Sequence, residues 1–242
     1  MIKLFLQLCF LFYSSVALAQ YSDIPDERLS YTVHKANPWT GRPAPTVILG
    51  HGCGGIVRIQ TEIFVRELNS WGYNAVVVDS LGPRGLTTVC KVQPWFHPPQ
   101  RMPEIYAVVD RIKKESWHNG RLGYIGWSHG GSLGMSLSAD GKGVFDAIVS
   151  YYPSCGPRAL SGRHMRTKIL VLVSEADTWT PIDQCKDVTG ITESIVFKDA
   201  THAWDIPAPD RVIVGEFLRY HPEADRISRQ AIQRFFKAHL ND

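Results

Sequence analysis

Gly126-Trp127-Ser128-His129-Gly130-Gly131 follows directly on the short apolar run Leu122-Gly123-Tyr124-Ile125. A Gly-x-Ser-x-Gly pattern after a strand and before a helix is the signature of a nucleophile elbow. The chemistry needs that spacing. A serine at the apex of a tight strand-to-helix turn sits in strained backbone geometry, and only residues without bulky side chains fit two before and two after it. The turn pushes the hydroxyl out and leaves the first amides of the following helix unpaired, ready to stabilise an oxyanion. A glycine-rich loop could match the pattern by accident, so the rest of the chain decides whether the serine has partners.

Strands and helices alternate along the sequence. Thr46-Val47-Ile48-Leu49 and Ala75-Val76-Val77-Val78 are fully apolar, as expected of parallel strands buried on both faces. The run into the elbow, Ala147 to Tyr152, Ile169 to Val173 and Ser194 to Phe197 supply four more strands. Helical spacing covers Thr61 to Trp71, a segment opened by Pro103 and ended by Asn119-Gly120, Ser128 to about Leu137, and Arg226 to Leu240. Six strands separated mainly by helices predict an α/β architecture with a mostly parallel, doubly wound sheet. Asp79 to Pro103 is the longest irregular segment after the N-terminus, and a long ordered loop of that kind is expected beside a site.

On this architecture an activated serine takes an acid and then a histidine, each from a loop at the carboxyl end of a strand. Ser174-Glu175-Ala176-Asp177 follows the next-to-last strand, and Lys198-Asp199-Ala200-Thr201-His202 follows the last. Ser128, Asp177 and His202 are therefore the expected catalytic residues, with Glu175 the other carboxylate within reach of the role. The first core strand ends in Gly50-His51-Gly52-Cys53-Gly54-Gly55, whose flexible backbone suits the second oxyanion donor. The expected pair of donors is the Cys53 and His129 amides. Nothing calls for a metal or a cofactor: the nine histidines include no His-x-x-x-His, there is no Cys-x-x-Cys, and no glycine run has the form of a phosphate or dinucleotide loop.

Lys3, the apolar stretch Leu4 to Tyr13 and Ala17-Leu18-Ala19 have the form of a secretory signal peptide cleaved after residue 19, too short in its apolar core to span a bilayer. Cleavage removes Lys3 alone among the charges, leaving 25 basic against 23 acidic side chains. That balance gives no electrostatic case for a nucleic-acid partner or a membrane surface. About 220 residues, 20–242, suit one domain with one sizeable core. Cys53, Cys90, Cys155 and Cys185 remain, and an even number in an exported chain predicts disulfides. Their positions favour Cys155 with Cys185, just beyond neighbouring strands, and Cys53 with Cys90.

His51-Gly52-Cys53-Gly54-Gly55, Asp79-Ser80-Leu81-Gly82-Pro83-Arg84-Gly85, the elbow and Ala200-Thr201-His202-Ala203-Trp204 together resemble the dienelactone hydrolase family of α/β-hydrolases. The resemblance runs from about Val47 to His239. It implies an α/β-hydrolase fold without a large cap domain, and cleavage of small-molecule esters or lactones through a covalent acyl-enzyme; the signal-peptide form of residues 1–19 places that activity in the periplasm or outside the cell. Two positions depart from the family pattern: dienelactone hydrolases proper have a cysteine nucleophile where this chain has Ser128, and an acidic residue where it has Gly52-Cys53. Both point away from dienelactone as the substrate. Arg84 is a candidate for binding a substrate carboxylate, and Trp127, Trp179 and Trp204 are candidates for lining an acyl pocket. The alternatives are a peptidase or acyltransferase on the same scaffold, or a catalytically silent binding protein.

Overall fold

The computed structural model describes residues 26–36, 41–91 and 96–241. The expected signal peptide therefore lies outside the described residues. Nine strands are found among them: β1 (Ser30–His34), β2 (Ala44–Gly50), β3 (Asn74–Asp79), β4 (His118–Trp127), β5 (Ala147–Tyr151), β6 (Lys168–Ser174), β7 (Glu193–Phe197) and the pair β8 (Arg211–Ile213) and β9 (Glu216–Leu218). The α-helices are α1 (Arg58–Ser70), α2 (Met102–Ile112), α3 (His129–Ala139) and α4 (Pro222–Leu240). The main sheet runs β1-β3-β2-β4-β5-β6-β7, parallel from β3 to β7 with β1 antiparallel at one edge.

Strand periodicity sorts the core into two layers. Val47 and Leu49 face one side with Phe64 and Leu68 of α1 and Ile232, Phe235 and Phe236 of α4. Ile48 faces the other with Ile105, Val108 and Val109 of α2 and Leu133 and Met135 of α3. Because both faces are covered, the central strands are apolar throughout, which is why they were legible as unbroken runs. This is the α/β-hydrolase fold, with no large cap among the described residues. The chain leaves β2 toward β3 on one side and returns to β4 on the other, so the strand order reverses at β2 and β4. Their carboxyl ends form the crevice where open α/β sheets place ligands.

Two helix boundaries and two elements differ from the sequence expectation. The helix after Pro103 stops at Ile112, because Lys113 to Ser116 are exposed and carry no apolar stripe; Asn119 and Gly120 fall inside β4 instead. The closing helix begins at Pro222 rather than Arg226, with the His221 side chain accepting from the Ala224 amide as its cap. β1 is an edge strand with no buried residue, so it has no core-facing pattern to show. The β8–β9 hairpin turns at Val214 and Gly215, both at positive φ, and half of its six strand residues are exposed.

Candidate active site

Ser128 lies between β4 and α3 with φ 53° and ψ −112°, outside the regions an L-residue adopts freely. The glycines around it make that turn possible. A Cβ at Gly126 would run into the Gly130 carbonyl, and one at Gly130 would run into the backbone at Gly50. The turn is closed by the Ser128 amide donating to the Tyr151 carbonyl (2.9 Å) and by Tyr124 Oη donating to the Gly130 carbonyl (2.9 Å).

Asp177 and His202 meet as their order along the strands predicts. His202 Nδ1 donates to Asp177 Oδ2 at 2.8 Å, and both side chains are buried. The other acceptor positions of the carboxylate are filled by its own turn. The amides of Trp179 and Thr180 donate to Oδ1, each at 2.9 Å, and the Thr180 hydroxyl donates to Oδ2 at 2.8 Å. Burial pushes the Asp177 carboxyl up, but its bonds and charge pairing with His202 and the bonds from Thr180 outweigh that and hold it below the ordinary carboxylate value. Glu175 is exposed, and it is Asp177 that reaches the histidine. Because Nδ1 is the donor toward Asp177, Nε2 is left with its lone pair. Ser128 and His202 are not hydrogen-bonded to each other here; they line the same cavity, of about 260 Å³.

Cys53 and His129 flank the serine from the other side. A Cβ built on Gly52 would stand 3.6 Å from Ser128 Cβ, so this loop lies against the elbow. Among the described residues neither the Cys53 nor the His129 amide has an acceptor; the latter is the first of α3, where no intrahelical partner exists. Cys53 is bonded to Cys90, and its carbonyl accepts from the Val89 amide at 2.8 Å. Cys155 is bonded to Cys185, joining the segment after β5 to the short helix Ile182–Cys185 after β6. Both pairings match the positions of the cysteines in the sequence.

Behind the Cys53 loop sits Arg101, fully buried, which the sequence gave no reason to single out. Its guanidinium donates to the His51 carbonyl (2.8 Å) and to Ser80 Oγ (2.8 Å), and its Nη1 lies 3.2 Å from His129 Nδ1. Arginine only donates, so His129 Nδ1 accepts, and Nε2 carries the hydrogen it donates to the Phe96 carbonyl at 3.0 Å. Burial, then the Arg101 charge, push the His129 pKa down to about 3, so its ring is neutral at working pH. His51 is held well below its ordinary value by the same two causes. Its Nε2 accepts from the Ser80 amide at 3.0 Å, and its Nδ1 lies 2.7 Å from the Gly52 carbonyl.

The candidate substrate-contacting residues divide. Trp127 and Trp179 both line the smaller cavity, and Trp179 also stands 4.9 Å from the His202 ring. Trp204 does not reach either cleft at Ser128: it is fully buried among Tyr151, Tyr152 and Phe197, with its indole N–H toward Ser228. Arg84 is likewise not a cleft residue. It forms a buried ion pair with Glu104 at 2.6 Å, donates to the Ser80 carbonyl and covers the Phe96 ring, so it fastens the loop after β3. A second, larger cleft of about 640 Å³ also opens at Ser128, bounded by Phe96, His97, Ser132, Arg158 and Trp179. Phe96 and His97 come from the long irregular segment that was expected near the site.

The sequence model of the Dienelactone hydrolase family matches residues 30–240. The chain belongs to the dienelactone hydrolase family. It is thus a hydrolase of the α/β-hydrolase fold, with esterases among its structural neighbours. A putative dienelactone hydrolase from Klebsiella pneumoniae superposes with a TM-score of 0.67 at 15% identity, covering 87% of this chain and 99% of that one. Est1E from Butyrivibrio proteoclasticus, solved with ferulic acid bound, gives 0.62 at 14% identity over 88% of this chain and 96% of that one. An α/β serine hydrolase without a lid from Xanthomonas campestris gives 0.60 at 15% identity over 87% and 88%. At these identities the structures are similar in fold alone. No curated protein matches the chain.

Proposed function

We propose that this family member is an exported serine esterase. The observation that carries the proposal is the buried Asp177–His202 pair sharing a cavity with a serine held at positive φ on an elbow. Ser128 Oγ attacks the ester carbonyl while His202 Nε2 takes its proton. Asp177 keeps the imidazole in the tautomer that leaves Nε2 free and stabilises the imidazolium. The carbonyl oxygen, now negative, is received by the Cys53 and His129 amides, an interaction worth about 10²- to 10³-fold in rate per donor. His202 then gives its proton to the departing alcohol. Water, activated by the same nitrogen, releases the acid and restores the serine.

The form of residues 1–19 and the two disulfides support export, since disulfides persist in oxidising compartments. Among the described residues no helix is long and apolar enough to cross a membrane. The esterase proposal predicts hydrolysis of 4-nitrophenyl acetate by the wild type and a loss of about 10³-fold or more in kcat for Ser128→Ala. Equal turnover by the two proteins would remove Ser128 from the mechanism.

A further inference from the structure

The smaller cavity beside Ser128 is walled largely by carbon, with Val57, Ile206 and Leu218 and the rings of Trp127 and Trp179 on its wall. Three polar side chains outside the proposed machinery, Arg211, Gln60 and Tyr152, interrupt that wall with chemistry of their own. Arg211 is part-exposed and donates to the Pro209 carbonyl. Gln60, the third residue of α1, is only 4% exposed and is held from behind by other buried groups. Its Nε2 donates to Asp205 Oδ2 at 2.7 Å and to the Tyr152 hydroxyl at 3.2 Å. The Tyr152 hydroxyl in turn donates to Asp205 Oδ1 at 2.6 Å.

This network fixes which way the amide faces. An ionised carboxylate only accepts, so Gln60 must turn its nitrogen toward Asp205, and both hydrogens of that nitrogen are then engaged. Oε1 is left on the opposite side. It has no partner among the described residues, yet it is not one of the buried unsatisfied side-chain atoms. It therefore keeps accessible surface, on a side chain that lines the cavity. Burial pushes the Asp205 carboxyl up to about 6, so above that pH it is ionised and holds both donors in place. A carboxylate buried without a cation is costly, and a wall needing only closure is made more easily from aliphatic side chains.

Resting on the esterase proposal above, we infer that Gln60 is a substrate-recognition residue whose Oε1 accepts a hydrogen bond from a hydroxyl on the apolar group entering this cavity. The indole and phenol rings on the wall suit an aromatic group, so the substrate class is an ester with a hydroxyaryl moiety on one of its halves. A pocket that presents a fixed acceptor loses a hydrogen bond with an analogue lacking the hydroxyl, and discriminates accordingly.

The test compares kcat/KM within two ester pairs. One pair is methyl 3-phenylpropanoate and its ring 4-hydroxy derivative; the other is 2-phenylethyl acetate and its ring 4-hydroxy derivative. The wild type is expected to favour the hydroxylated member of at least one pair by roughly tenfold. Gln60→Met, which removes the acceptor, brings that ratio to within about twofold of unity. Asp205→Asn, which unfixes the amide, lowers it as well and serves where Gln60→Met fails to fold. A purely structural Gln60 would slow both members together and leave the ratio at its wild-type value, and that result overturns the inference, as does a wild-type ratio near one in both pairs. If no ester is turned over, the esterase proposal has failed, and calorimetric binding of 3-(4-hydroxyphenyl)propanoic acid against 3-phenylpropanoic acid then decides the role of Gln60. Tighter binding of the hydroxy acid that is lost in Gln60→Met supports it, and equal binding contradicts it.

Discussion

On one side of Ser128, Asp177 and His202 are held by hydrogen bonds from a short turn; on the other, Cys53 and His129 lie against a disulfide and a buried guanidinium. Trp179, Thr180 and His202 saturate the Asp177 carboxylate, and the nearest covalent link on that side falls further along the loop at Cys185. Cys53 is itself disulfide-bonded, and Arg101 binds the carbonyl of His51 and the ring of His129 at once. The difference follows from what each side is proposed to do. A group that passes a proton needs an adjustable charge environment, supplied by hydrogen bonds. An oxyanion site needs two amides already in position before charge develops, because reorganisation at that moment would cost rate.

The acid–base side should respond most. Asp177→Asn keeps the shape of the turn but presents the wrong partner to His202 Nδ1. A fall in kcat of about 10³- to 10⁴-fold is expected from steady-state ester hydrolysis. A loss smaller than tenfold would mean that the pair does not orient the base. On the oxyanion side Arg101→Met is expected to lower kcat by about 10- to 100-fold with little change in KM, since the amides it aligns act on the transition state. It should also destabilise the fold by about 3–5 kcal/mol, because part of a buried charge cluster loses its partner. An unchanged kcat in the folded variant would reduce Arg101 to a core residue.

The smallest effect is on pH-dependent stability. His51 and His129 are buried neutral, with folded pKa values below the unfolded value of about 6.5. As pH falls below that value the unfolded chain takes up protons first, and stability is lost. Asp205 acts in the opposite sense: its folded pKa lies above the unfolded one, so it adds stability as pH falls through about 6. Two histidines against one carboxyl predict that the thermal midpoint falls between pH 7 and pH 5, with each histidine contributing up to about 1.4 kcal/mol per pH unit. A midpoint that rises over this range would contradict the assignment of neutral, buried rings.

The same comparison explains what the sequence could disclose. Ser128, Asp177 and His202 could be picked out as candidates because each follows the end of a strand, directly or within a few residues, in the order the architecture leads one to expect. Position favoured the two cysteine pairs that form, although four cysteines permit three pairings. Arg101 was not, because an arginine in a segment rich in proline gives no sign of burial until the fold wraps it with His51, Ser80 and His129. Gln60 was hidden for a similar reason: its partners lie 92 and 145 residues away along the chain. Arg84 and Trp204 show the converse error. Both sit beside site motifs in sequence, yet an ion pair with Glu104 and packing against Tyr152 account for them.

The central claim is that Ser128 is an activated nucleophile. Reaction of the folded protein with a fluorophosphonate, followed by mass spectrometry of its peptides, tests it most directly. A single adduct on Ser128, absent after denaturation, is the predicted result. No adduct on the folded protein, or one on another residue, would contradict it.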